Sequence, residues 1–333
     1  MTENKYYHSL DFFRGLCGYG VAITHLYAFI YNSQIMEYIS LLFVEFFFVL
    51  SGFVLYPQLK NTLNNKQNIL IFYKRRWMRT IPLFLIVIFL VSILTNNLFS
   101  KDFFKYLTFT QKSFPNFLNN DYYPVAWSLS VEEFFYILFP LILINLKENN
   151  YIKYILIIFI SLLVSKFLIQ GFFDGNFFRT GTFFRFDAIL FGFLLAEYKN
   201  KLLFFKNSII LTFFVLVIFY LFQNKYFILN SELGITKYMF VILLQVISGL
   251  TMFIFIINNK FFLGKKIKLF SLIISQQTYS IYLIHMIFIY ILKNLQLSLI
   301  LTSIIYFFSL VIFSTLIYTF IEKPILKARP KFN

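Results

Sequence analysis

Charge is scarce in this 333-residue chain. Asp, Glu, Lys and Arg make up only 13% of it, against 59% hydrophobic and 23% aromatic residues, and the mean hydropathy is +0.75. A soluble globular domain carries about 25% charged residues. Half that share cannot cover the surface that a folded chain of this length must present to water. Ordinary cytosolic enzymes, disulfide-framed secreted modules and disordered chains are excluded, and most of the solvent must be lipid. Cysteine is nearly absent: Cys17 alone forms no internal disulfide, and no Cys/His spacing marks a metal site. Acidic residues are also few, 14 against 30 Lys and Arg, for a net charge of +16. In a soluble protein that excess would point to nucleic acid; in a membrane protein it records basic residues retained on the cytoplasmic side.

What fills the chain instead is a series of apolar runs near 20 residues, the length that crosses a ~30 Å hydrocarbon layer. They lie at 10–31, 38–56, 80–99, 127–146, 151–170, 181–198, 202–222, 236–258, 272–292 and 297–320. The fold class read from them is all-α, a polytopic integral membrane bundle of about ten helices. Residues 1–333 form a single membrane-embedded domain with no soluble second domain and no internal repeat. The run at 181–198 is the weakest, interrupted by Arg185 and Asp187. An even number of spans puts both termini on one side. On that side fall twenty of the 30 Lys and Arg, with seven on the other and Arg14, Lys166 and Arg185 within spans. The positive-inside bias therefore assigns both termini to the cytoplasm, with the bundle in a bacterial inner membrane and surrounded by lipid. Nucleic acid is not an expected partner. The first run is too long for a cleavable signal peptide, contains Asp11 and Arg14, and reads as a retained helix. The external connection 100–126, polar and aromatic with Pro115 and Pro124, is placed to cover an outward-facing site.

Ionisable groups inside spans cost roughly 2.5–3.5 kcal/mol each on insertion scales and face cavities or partners, so each marks a possible site. In the first span Asp11, Arg14 and His25 fall within roughly 60° of one another, on a stripe with Gly15, Gly18 and Ala22. The small residues read as helix packing, as does Cys17, whereas His25, between apolar turns, reads as functional. Glu45 needs a partner; an ion pair, a protonated carboxyl and a catalytic role all stay open. Arg75 and Arg76 lie one turn from Arg79, forming a cationic fork that either anchors the helix or binds phosphate. Glu132 shares a face with Ser128 and Tyr136, while Glu133 lies about 100° around with Ser130. Counted from the span ends, His25 and Glu132 both lie ~8–9 Å below the outer boundary. Arg14 and the fork lie at the inner side, so the polar path has a cationic inner end and a His/carboxylate outer end. Ser275, Thr278, Tyr279, Tyr282 and His285 share one face of the ninth span, either as an internal hydrogen-bonded seam or, for Tyr282, to orient a reacting group. His8 reads as solvated.

Leu10-Asp11-Phe12-Phe13-Arg14-Gly15 with His25, followed by Phe47 to Phe53, resembles the opening of acyltransferase family 3 membrane proteins. Arg75 to Pro82 is similar to that family's arginine motif, Trp127 to Glu132 to its Trp-Ser-Leu-x-x-Glu motif, Thr278 to His285 to its Tyr-Ser-x-Tyr-Leu-x-His segment, and Glu322-Lys323-Pro324 to its closing signature. Five motifs in order cover nearly the whole chain. The resemblance implies an enzyme that takes an acyl group, commonly acetyl, from cytoplasmic acyl-coenzyme A and places it on a hydroxyl of a lipid-linked or polymeric envelope carbohydrate. By the same resemblance Arg14, Arg75, Arg76 and Arg79 would hold the coenzyme's phosphates, and His25 would act as general base or transient acyl carrier. Glu132 would orient or charge-stabilise His25. Tyr282, Ser128 or Arg185 would stabilise the thioester oxyanion, with Asp11, Glu45 and His285 in supporting roles and no metal. Two features depart from the pattern. Position 13 is Phe where relatives often carry a small or polar residue, and the chain ends at Asn333 without the extracytoplasmic hydrolase-like domain that some relatives append. The alternative is a transporter or flippase for a lipid-linked sugar, since polar residues in a helix bundle also line substrate paths. The inner arginines and the outer His/Glu groups weigh against it.

Overall fold

The computed structural model describes residues 6–144, 146, 150–169, 171–173, 175–202, 216 and 235–332. Among these residues the chain is helical, with no strand. The helices are α1 (His8–Tyr31), α2 (Gln34–Asn64), α3 (Asn68–Leu94), α4 (Lys101–Leu107), α5 (Trp127–Ile144), α6 (Tyr151–Ile169), α7 (Gly175–Thr180), α8 (Phe186–Leu202), α9 (Ile235–Ile257), α10 (Lys265–Lys293), α11 (Leu299–Ile317) and α12 (Lys323–Lys327). Seven described helices are long and apolar enough to cross a membrane, so the chain is a multi-pass membrane protein. α1, at 24 residues ~36 Å long, is more polar than these, and α8 has only 17 residues. The expected span at 202–222 lies, but for Leu202 and Leu216, outside the described residues. The lipid-facing sides are apolar: Ile157, Ile160, Val164 and Leu168 on α6, and Ile304, Phe308 and Ile312 on α11, are all exposed.

Two close helix pairs organise the interior. α1 and α10 run parallel at a nearly constant offset of 258–261 residues, as the pairs Tyr19/Gln277, Arg14/Ser275 and His25/His285 record. Gly15 and Gly18 make this approach possible. A Cβ on Gly15 would stand 2.3 Å from Ile274 Cγ1, and one on Gly18 2.8 Å from Thr278 Cγ2. α2 and α8 run antiparallel through a reciprocal contact. A Cβ on Gly52 would meet the Ile189 carbonyl oxygen at 1.8 Å, and one on Gly192 the Val49 carbonyl oxygen at 2.0 Å. With no hydrophobic driving force between helices in lipid, such small-residue contacts set how closely backbones pack.

The third span ends five residues earlier than expected. Asn96 takes a left-handed conformation, φ 56°, as Asn often does after a helix. The connection that follows then descends into the bundle. Asp102 receives the backbone N–H groups of Asn119 and Asn120 at 3.1 and 2.8 Å and the Lys105 ammonium at 2.9 Å. Tyr122, Tyr123, Val125 and Ala126 are buried. Tyr290 on α10 donates to the Tyr122 carbonyl at 2.6 Å, and Tyr123 donates to the Leu283 carbonyl at 2.8 Å. Irregular backbone at membrane depth is tolerated when buried in protein. α5 consequently begins well inside the bundle, at the level of Tyr282, and not at the outer boundary.

Candidate functional site

A cleft opens among α1, α2, α3, α5 and α10. Its inner end is cationic: Arg14, Arg76 and Arg79 line it, with Ser51, Glu132 and Tyr136 opposite and Ser128 and Tyr282 at the far end. Asp11 supports Arg14, with Nη1 3.9 Å from Oδ1, and is held in turn by the Tyr6 hydroxyl at 2.6 Å. Arg76 is buried, donates to Gln58 Oε1 at 2.6 Å and lies over the Tyr136 ring. Arg79 lines the cleft and makes no hydrogen bond or ion pair with a described residue. The expected fork is incomplete, however. Arg75, about 100° around the helix from Arg76, donates to the Pro330 carbonyl at 2.5 Å and packs over the Phe332 ring, outside the cleft lining. Arg329 is the arginine that sequence reasoning missed. Burial and the charges of Arg79, Arg75 and Arg76 lower its pKa to about 10. Its signal in the sequence was only one more basic residue near the C-terminus.

Beyond the arginines the cleft narrows to hydroxyl groups. Glu132 accepts from Ser51 Oγ and from Tyr136 Oη, each at 2.9 Å. Tyr282 donates to the Val125 carbonyl at 2.7 Å and lies 2.6 Å from Ser128 Oγ. A phenol has one proton, so the serine donates to the tyrosine. Both hydroxyl protons are thus engaged by protein oxygens in this structure.

His25 and His285 lie one turn further out. His25 Nδ1 is 2.9 Å from His285 Nε2, and His285 Nδ1 is 2.7 Å from the Tyr282 carbonyl. His285 is fully buried and His25 half-buried, its Nε2 without a described partner. The expected support of His25 by Glu132 is not present. α5 runs antiparallel to α10, so Glu132 lies four residues inward of Ser128 while His285 lies three residues outward of Tyr282. The two levels differ by ~10 Å. The equal depth inferred from span ends failed because α5 starts below the surface, and the group against His25 Nδ1, where the resemblance implied Glu132, is His285.

Glu45 and Arg185 are also reassigned. They form a buried ion pair with each other, and neither lines the cleft, so Arg185 does not face a thioester there. Next to them Lys166 and Asp187 form a second buried pair, with Gln245 donating to Asp187 at 2.5 Å. The α8 helix begins only at Phe186, which puts Arg185 on the 3₁₀ turn Phe183–Arg185, able to reach across to α2. Charge balance within the quartet, two acids and two bases, satisfies groups that would otherwise be costly in lipid. The closing Glu322 accepts from Ser280 on α10. Cys17 is buried and free.

Comparison with known proteins gives the family of the chain. A family 3 model described as an acyltransferase domain matches residues 7–322. A Staphylococcus aureus (strain COL) protein named as a candidate O-acetyltransferase is 27% identical over 368 residues, covering 97% of this chain and 58% of that protein. The O-acetyltransferase OatA of S. aureus (strain NCTC 8325) is 31% identical over 220 residues, covering 59% of this chain and 35% of its own length. An uncharacterized Haemophilus influenzae protein is 32% identical over 187 residues, 47% of this chain and 75% of that protein. The chain thus spans about three fifths or less of the staphylococcal relatives. No solved structure matches. With nearly its whole length matched by that model, the chain belongs to acyltransferase family 3.

Proposed function

We propose that this chain is a membrane O-acyltransferase that moves an acyl group, commonly acetyl, from cytoplasmic acyl-coenzyme A to a hydroxyl of a cell-envelope or exported carbohydrate. The observation that carries this reading is the cleft that joins Arg14, Arg76 and Arg79 to the Ser128/Tyr282 pair, with His285, the hydrogen-bond partner of His25, next to Tyr282 one turn further along α10. Phosphates are anions that clustered guanidinium groups hold by charge-assisted hydrogen bonds. Arg79 has its donors uncommitted, and Arg329 adds charge near it. The thioester end of the donor then extends toward Tyr282. Both termini on the cytoplasmic side and ten spans fit this direction of delivery, as does the excess of basic residues on that side. The acetyl identity and the carbohydrate acceptor are carried over from the relatives' names.

In the reaction, His25 Nε2 takes the proton of the acceptor hydroxyl as its oxygen attacks the thioester carbonyl. The C–O bond forms, the C–S bond breaks, and the departing thiolate takes that proton from the imidazole. If His25 carries the acyl group, Nε2 attacks first and the thiolate leaves with a proton from solvent; the hydroxyl then displaces the imidazole and gives up its own proton. The test is free-thiol release from acetyl-coenzyme A by purified protein in nanodiscs, with and without a glycan mixture. Release that depends on glycan supports transfer. Absence of coenzyme binding would overturn the reading and favour a transporter of a lipid-linked sugar.

A further inference from the structure

The two histidines form a directed chain of hydrogen bonds whose polarity is fixed at one end. His285 Nδ1 has two neighbours, the carbonyl oxygens of Tyr282 at 2.7 Å and Ile281 at 3.2 Å. A carbonyl only accepts, so Nδ1 of His285 carries a hydrogen. The ring is fully buried, and none of its hydrogen bonds among the described residues is to a carboxylate. An unpaired buried charge is strongly unfavourable, so the ring is neutral and its Nε2 accepts. That nitrogen stands 2.9 Å from His25 Nδ1, which must then be the donor. A neutral His25 with a proton on Nδ1 has its lone pair on Nε2, the nitrogen with no described partner. The ring is also held laterally: Phe29 meets it edge-on with ring centres 5.5 Å apart.

We infer that His285 is a positioning residue that sets the tautomer of His25, keeping Nδ1 protonated and Nε2 free for the reacting group. The inference rests on the reading of His25 as that group, and both possible uses of His25, as base or as acyl carrier, require an unprotonated Nε2. The role is the one a carboxylate fills in hydrolytic triads, where the orienting group selects the ring's tautomer. Here a neutral imidazole fills it, and its own tautomer is fixed by helix carbonyls one turn back along α10. A neutral acceptor selects the tautomer without supplying a counter-charge. The loss on removing it is therefore smaller than the ~10⁴-fold known for a triad whose carboxylate is neutralised.

The experiment joins kinetics to spectroscopy in nanodiscs. The chain has three His, so ¹⁵N-histidine labelling resolves every ring, with His25 assigned by its loss in His25→Ala. In the wild type the His25 resonances should report a protonated Nδ1 and a bare Nε2. His285→Leu, which removes the acceptor, should lower kcat by about 10–10²-fold with KM for acetyl-coenzyme A little changed, and should shift His25 to a mixture of tautomers. His285→Gln, whose carbonyl oxygen can accept from Nδ1, should restore most of the rate. A wild-type spectrum with Nε2 protonated would overturn the inference, as would wild-type kcat in both variants. Full turnover by His25→Ala would instead overturn the role of His25, while the spectrum would still decide the tautomer. Should His285→Leu not fold, the wild-type spectrum and the rate of His285→Gln decide it.

Discussion

Arg79 and Glu45 show how differently two charges can be used within one bundle. Arg79 lies in the cleft with its donors uncommitted, so Arg79→Ala should raise KM for the acyl donor by about 10–10²-fold, the value of one charge-assisted hydrogen bond. kcat at saturating donor should change little; an unchanged KM with a collapsed kcat would remove Arg79 from the donor site. Glu45 is committed to Arg185, and the pair is sealed from the cleft. Glu45→Ala leaves a buried guanidinium without its ion-pair partner and should destabilise the protein by about 3–5 kcal/mol, read as a lowered unfolding midpoint in detergent, with donor KM in the surviving folded fraction unchanged. The sequence identified both residues as charges within spans but could not separate their uses. Pairing between α2 and the turn before α8 spans 140 residues, a distance over which helical periodicity carries no information. For the same reason His285 was legible as one member of a polar seam and not as the partner of His25.

The depth at which a helix starts proved harder to read than its place in the chain. The runs near 10–31, 127–146, 151–170 and 236–258 coincide with α1, α5, α6 and α9 to within a few residues, because hydropathy registers lipid contact. What hydropathy could not register is that the aromatic connection ahead of α5 is itself buried, so that Trp127 starts a helix inside the protein. That one displacement moved Glu132 inward by about two turns and separated it from His25. The close contact of α2 with α8 is a second feature of this kind. Gly52 lies within the Phe47 to Phe53 stretch, but its reciprocal contact with Gly192 appears only when the two helices are seen side by side. Gly52→Ala and Gly192→Ala should each force these backbones apart and cost about 1–3 kcal/mol by overpacking. Thermal unfolding of each variant should show this against Gly264→Ala, where an added Cβ meets nothing within 4 Å. Equal midpoints for all three would show that the α2/α8 approach tolerates a methyl group.

The whole bundle is polarised, with guanidinium groups gathered at one end of the cleft and an imidazole pair beyond the other. A transferase that carries an activated acyl group across a membrane needs this asymmetry: the donor must be bound by its charged part on one side and its acyl carbon presented toward the other. The chain's only cysteine is buried, which makes the orientation simple to test. In a Cys17→Ser background, Lys101→Cys at the start of α4 and Lys268→Cys near the start of α10, both exposed positions, should react with a membrane-impermeant thiol reagent from opposite faces of sealed vesicles, Lys268→Cys from the cytoplasmic one. Labelling of both from the same face would break the proposed direction of transfer. The most direct measurement is the rate of glycan-dependent thiol release at saturating acetyl-coenzyme A by wild type and His25→Ala. The reaction through His25 Nε2 predicts a loss of about 10²–10⁴-fold, the usual contribution of a positioned general base, with coenzyme binding retained. A His25→Ala protein that turns over within a few-fold of wild type would contradict it.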